Sequence, residues 1–506
     1  MKWMSQKHVD LGSGSVGRLL LSLAAPTITS QIVNMLYNLV DRVYIGHMQP
    51  TDTVGKLALT GVGVCLPVIL IISAFAALMA MGGAPRASIQ EGRGNSREAE
   101  RIMGNSFTLL VFASLILTLV FRIWAEPILL LFGASENTIG YALDYLNIYA
   151  IGTIFVQVTL GMNSYITAQG FTMTGMKTVL IGAVLNTILD PIFIFGLDMG
   201  VQGAALATVL SQAVSAAWVF RFLVGPQTRW HLRRENLRPV PSVFLPCLAL
   251  GMSPFIMQST ESLITVCFNS SLLKYGGDIA VGAMTVLSSI MQFAMMPLQG
   301  LTQGAQPIIS YNFGARNVQR VRDAFQVLLK ACIAYSLTLW LLVQLFPQLF
   351  VLIFNDNPDL VNYASWALVD LAVWALRIYA AGMFMLGIQS ACQQTFVALG
   401  NAKTSLFLAV LRKIILLIPL IYLLPLFFSD KVFAVFLAEP VADLLAVCTT
   451  VILFTIQFKK SKTAAARTKS LCAPLLALSL CSLISHYSTL LRKVRVRGFW
   501  GWSKNS

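Results

Sequence analysis

Charged residues are scarce. Asp, Glu, Lys and Arg make up 11% of the 506 residues, against about 25% in a typical soluble domain, so a fold with a water-facing surface all round is a poor fit. No GxxxxGK[ST] phosphate-binding loop occurs, so the chain brings no ATP-hydrolysing site of that kind. "GSGSVG" at 12–17 matches GxGxxG, but it follows no strand and leads into an apolar block; it reads as a flexible lead-in. The four histidines form no cluster. Eight cysteines (Cys65, Cys247, Cys267, Cys332, Cys392, Cys448, Cys472 and Cys481) include no CxxC and sit mostly in apolar stretches. They read as small packing residues rather than a disulfide or zinc framework. No cofactor is expected.

What the chain has in abundance is apolar residues, at 57%, in blocks such as 57–81, 178–197 and 404–427. A helix needs about 20 such residues to cross a bilayer. The expected fold class is therefore an all-α integral membrane protein. Short polar connectors divide it into twelve spans, at 19–45, 56–81, 103–124, 142–168, 178–197, 201–224, 243–272, 279–309, 324–354, 363–397, 404–427 and 432–457. Met1 to Asp10 is polar and the first apolar stretch is too long for a signal peptide. The net charge of +15 gathers in alternate connectors. Arg86, Arg93, Arg97 and Arg101 follow span two; Arg229, Arg233, Arg234 and Arg238 follow span six; Arg316, Arg320 and Arg322 follow span eight; Lys459, Lys460 and Lys462 follow span twelve. The other connectors hold little more than Lys56, Arg122, Lys274 and Lys431. By the positive-inside rule both termini are cytoplasmic. The basicity is an orientation signal, not a nucleic-acid footprint.

The chain repeats itself. "GGAPRASIQEGRGN" at 82–95 and "GAQPIISYNFGARN" at 304–317 place Gly82, Pro85, Gly92 and Asn95 against Gly304, Pro307, Gly314 and Asn317. "LNIYAIG" at 146 answers "LRIYAAG" at 376, Gly170 answers Gly400, "AVLN" at 183 answers "AVLR" at 409, and "LAT" at 206 answers "LAE" at 437. Ordered matches of this kind imply a duplicated unit. The expected organisation is a cytoplasmic tail (1–18), an N-half of six spans (19–224), a cytoplasmic linker (225–241), a C-half of six spans (242–457) and a C-terminal tail (458–506). Six is even, so the halves are parallel repeats about an axis along the membrane normal, an arrangement that places substrate sites near the midplane between them. In the tail, "LCAPLLALSLCSLISHYSTLL" reads as a marginal thirteenth segment or a surface helix, to which no function is assigned.

The scaffold repeats but the polar residues do not. Asn186 and Asp190 align with Arg412 and Leu416, Thr208 with Glu439, and Asp41 roughly with Asn269. A charged residue in mid-span costs roughly 2.5–3.5 kcal/mol on insertion scales, so each one asks for a role. Tyr37 and Asp41 are four apart on span one, as are Asn186 and Asp190 on span five, which puts each pair on one helix face. With Thr208 they can converge to hold a proton between close carboxylates or a small hard cation, with Asp41 and Asp190 as Na+ ligands. Thr208 and Asn163 also read as interhelical hydrogen-bonding residues. In the C-half, Glu261 on span seven and Glu439 and Asp443 on span twelve form a substrate or second polar site, with Arg412 as the expected counter-ion.

The two six-span halves, "LAAPTITSQIVNMLYNLVDRVYIGHM" in span one, the repeated Gly-x-x-Pro motifs and "LNTILDPIFIFG" in span five together resemble the multidrug and toxic compound extrusion (MATE) transporters. "MSPFIMQSTESLITVCFNSSL" and "VFLAEPVADLLA" are similar to its bacterial MepA-like branch. The resemblance covers about residues 10–460. It implies two lobes in a V around a central cavity. It also implies export of cationic amphipathic drugs by antiport with H+ or Na+, no enzymatic activity, and a bacterial cell-membrane location. It implies a first-half cation site at Tyr37, Asp41, Asn163, Asn186, Asp190 and Thr208, and a role for Glu261. Span ten carries Asp370 only near its start, which departs from the branch with a second-half Na+ site. The expected partners are cationic small molecules and membrane lipid, with no nucleic acid and the protein as a monomer. Alternative readings are a lipid-linked oligosaccharide flippase, which would favour a cationic cavity, and an integral-membrane enzyme, for which the short connectors offer no catalytic cluster.

Overall fold

The computed structural model describes residues 10–47, 52–353 and 363–463. These are helical almost throughout, with no strand among them. Six membrane-length helices run through the N-half: α1 (Val16–Gly46), α2 (Leu57–Gly92), α3 (Ser96–Ile123), α4 (Ile139–Ala168), α5 (Thr172–Gly196) and α6 (Gly200–Val224). A 74-residue helical stretch, Pro241–Gly314, follows. It is really two helices: Gly277 breaks it with φ 65° and ψ −164°, in the left-handed region open to glycine. We number its arms α7 (241–276) and α8 (278–314). Then come α9 (Val318–Leu345), α10 (Leu368–Ala398), α11 (Ala402–Phe427) and α12 (Lys431–Thr463). Among the described residues, eleven helices are long and apolar enough to cross a membrane, and one of them is double, which matches the twelve expected spans. The protein is a multi-pass membrane protein. Phe112, Leu115, Leu119 and Ile123 on α3 and Leu426 and Phe427 on α11 stand exposed, as side chains that face lipid do.

Met1–Val447 forms one compact unit, and the chain from Cys448 a second, of which the described part is the end of α12. That helix reaches Thr463, past the expected end of span twelve. The proposed thirteenth segment lies outside the described residues.

The repeated motifs acquire local reasons. Asn95 and Asn317 are the N-caps of α3 and α9, accepting from the backbone N–H of Glu98 at 3.2 Å and of Arg320 at 3.1 Å; such caps satisfy otherwise orphaned helix donors. Gly170 and Gly400, with φ 90° and 74°, end α4 and α10 in the left-handed turn that commonly follows a helix. Gly92 and Gly314 meet across the halves. A Cβ on Gly92 would fall on the Tyr311 carbonyl oxygen, and one on Gly314 on the Ile89 carbonyl oxygen. The first Gly-x-x-Pro motif is thus not a connector, as the end of span two at 81 implied, and the second falls within span eight as its bounds imply. They lie inside α2 and α8, where backbone packs directly on backbone. Gly314→Ala should lower the melting temperature in detergent, because two main chains must part, an overpacking cost of about 1–3 kcal/mol. An unaltered melting temperature would mean the crossing is loose.

The linker and the lead-in read as flexible are both anchored, each to the half that it does not lead. Residues 228–240, which lead α7, lie along the N-half. Gln169 Oε1 accepts from Thr228, Arg229 and Trp230. Buried Trp230 donates through Nε1 to Glu91 at 2.9 Å. Asn105 binds the Asn236 carbonyl and the Val240 N–H, and Glu100 takes the His231 N–H and pairs with Arg233 at 3.4 Å. The lead-in before α1 is held by the C-half: Asn312 and Arg320 donate to the Leu11 carbonyl, and Arg320 also to those of Ser13 and Gly14. It is not a flexible leader over these residues.

Candidate functional site

In the N-half, α1 packs on α5, and α5 on α6. This brings Asp41, Asn186, Asp190 and Thr208 into the interior, all buried, with Asp190 at 0% exposure. Asn186 Nδ2 donates to Asp190 Oδ1 at 3.1 Å and lies 3.3 Å from Thr208 Oγ1. Tyr37 lies in electrostatic range of both carboxyl groups, and the carboxyl groups of each other. Pro191 follows Asp190 directly, and α5 continues as a wider π-helical turn over Ile192–Gly196. Such turns mark places where a regular ladder is interrupted, frequently at functional sites.

Three oxygens of this group, Asp41 Oδ1, Asn186 Oδ1 and Asp190 Oδ2, are buried and make no hydrogen bond among the described residues. A buried acceptor without a donor is costly, and a proton or small cation held among these oxygens would offset that cost. The donor set is all oxygen, which suits a proton or a hard cation and not a soft metal.

Asn163 does not join this group. Its Nδ2 donates to the Gly175 carbonyl at 3.3 Å. Gly175 precedes Asp190 by fifteen residues of α5, roughly 22 Å along the axis at 1.5 Å per residue. Its place beside Asp41 and Tyr37 is taken by Tyr145 and Tyr149 of α4, whose rings stack at 5.8 Å. The sequence held a signal for Tyr149: it is the tyrosine of "NIYAIG", repeated as Tyr379 in "RIYAAG".

The C-half carries a different chemistry on the same frame. Arg412 donates through Nε to Asp443 Oδ1 at 2.7 Å and through Nη2 to Glu439 Oε1 at 3.4 Å. The Arg412–Glu439 contact is the repeat counterpart of Asn186–Thr208. Both acids are buried, and Glu439 Oε2 has no partner among the described residues. Glu261 on α7 pairs with Lys413 at 2.9 Å, a cation not singled out from the sequence. Tyr379 of α10 lies in electrostatic range of all three acids, and its repeat counterpart Tyr149 lies in range of Tyr37. Arg412 and Lys413 lie in a second π-helical segment, Leu411–Leu417. None of the six cysteines among the described residues forms a disulfide, and five of them are buried.

The MatE family model matches residues 26–192 and again 254–423. The chain is similar to "Multidrug export protein MepA" of Staphylococcus haemolyticus, at 23% identity over 85% of this chain and 92% of that one. Among solved structures it resembles the MATE multidrug transporter DinF-BH, at 34% identity and a TM-score of 0.79, over 89% of this chain and 98% of that one. A structure described as the outward-facing conformation of a multidrug resistance MATE family transporter superposes with a TM-score of 0.83 at 21% identity, over 90% and 99%.

Proposed function

The chain belongs to the MatE family, and from that membership we propose that it is a secondary active exporter of cationic amphipathic compounds, working by antiport with H+ or Na+. The observation that carries the coupling is Asp190: fully buried, beside Asp41, with a carboxylate oxygen that no donor reaches among the described residues. Such a group gains most from a cation that can arrive and leave. Asp41, Asp190, Asn186, Tyr37 and Thr208 would hold that ion, which supplies the missing positive charge.

A ligand shifts a two-state protein only through its differential affinity for the states. The coupling ion favours the state in which these oxygens close around it. Cationic cargo favours the other state. The charge asymmetry of the connectors supports a bacterial cell-membrane orientation with both termini and residues 225–241 cytoplasmic. The test is dye exclusion by whole cells. Cells producing the protein should exclude ethidium, and collapse of the H+ and Na+ gradients should abolish the exclusion. Exclusion that survives loss of both gradients would remove the antiport reading.

A further inference from the structure

Resting on this reading, we propose that Lys413 is a tethered counter-cation that occupies Glu261 and thereby sets the charge selectivity of the C-half for its cargo. Arg412 and Lys413 are adjacent in the π-helical segment, so their side chains leave it in different directions, and here they serve two neighbours. Arg412 turns to α12 and is fixed by two buried carboxylates, at 2.7 and 3.4 Å. Lys413 turns to α7 and meets Glu261 at 2.9 Å.

The two pairs differ in what can reach them. The Asp443 and Glu439 side chains are 4% and 7% exposed, whereas that of Glu261 is 52% exposed. Glu261 nonetheless belongs to the same cluster, since Arg412, Glu439 and Tyr379 lie in electrostatic range of it. It is therefore the one acid of the cluster that a mobile cation can approach. Its partner is the more exchangeable kind. Arg412 holds a planar fork in place, while Lys413 is a point charge on a flexible stem, buried at 6% exposure. Together the three acids and two cations leave a single net negative charge. A cargo cation arriving at Glu261 meets an amine already there and must displace it or bear its repulsion.

Coulomb energy scales with the product of the charges, so removing Lys413 should help a dication twice as much, in logarithm, as a monocation. Ethidium and propidium share a ring system and carry one and two positive charges, so they make the comparison. Equilibrium binding of each to the purified protein in detergent, followed by fluorescence polarisation, is measured for four proteins: wild type, Lys413→Met, Lys413→Arg, and Lys413→Met with Glu261→Gln. In Lys413→Met we expect ethidium to bind about 3-fold and propidium about 10-fold more tightly, the latter worth about 1.4 kcal/mol. Lys413→Arg keeps the charge and should show neither gain, and adding Glu261→Gln should remove the gain of Lys413→Met. Should Lys413→Met fail to fold, Lys413→Gln is read in the same way. A folded Lys413→Met protein with unchanged or weaker affinity, or with equal gains for both dyes, would overturn the assignment. Wild type that binds neither dye would instead overturn the export reading beneath it.

Discussion

Asp190→Asn is expected to yield a folded protein in which gradient-driven dye export falls to the background of vesicles lacking the protein. The amide keeps the size of the carboxyl and can still accept from Asn186, so the 3.1 Å bond between α5 residues survives. What disappears is a fully buried charge whose second oxygen has no donor among the described residues. Removing such a charge should leave the melting temperature unchanged or raise it, because burial of an uncompensated charge is costly. Loss of transport with retained stability separates a coupling group from a structural one. Asp41→Asn should behave likewise. Normal ion-driven export by either variant would take that residue out of the coupling site.

The largest effect on stability is expected at Arg412. Arg412→Met leaves Asp443 and Glu439 buried without their cation, and breaking a buried pair in this way costs about 3–5 kcal/mol. From the sequence alone Arg412 is the counter-ion of both Glu439 and Asp443, with nothing to rank them. The geometry gives Asp443 the stronger claim, at 2.7 Å against 3.4 Å. Thermal melting in detergent should therefore show more recovery when Arg412→Met is combined with Asp443→Leu than with Glu439→Met. Glu439→Gln alone should cost less than Arg412→Met. Equal melting of Arg412→Met and wild type would mean the pair contributes no net stability.

The fold could be read from the sequence because apolar blocks of bilayer length and two copies of one pattern leave few alternatives. The N-half group was equally visible. Asp41, Asn186 and Asp190 stand out in apolar surroundings, and four-residue spacing settles which faces they share. Other features depend on partners far along the chain. Gln169, Asn105, Glu91 and Glu100 bind residues 228–240 across separations of 59 to 139 residues. Composition alone makes that segment look like a free linker. "GSGSVG" misleads for the same reason, since Arg320 lies some 300 residues away. Asn163 fits a motif by residue type, but the level of α5 that it meets from α4 is shown only by the carbonyl it reaches, that of Gly175. Lys413 was masked by its neighbour: two successive cations look like one counter-ion until the helix turns them toward different acids.

The central claim is that cargo export is driven by an ion taken up at Asp41 and Asp190. Its most direct test is ethidium transport in proteoliposomes under a pH gradient and a Na+ gradient imposed separately, with wild type and Asp190→Asn side by side. The account predicts that at least one gradient drives transport by wild type, and that neither drives it in Asp190→Asn. Transport by wild type that ignores both gradients, or an Asp190→Asn protein that responds to them as wild type does, would contradict it.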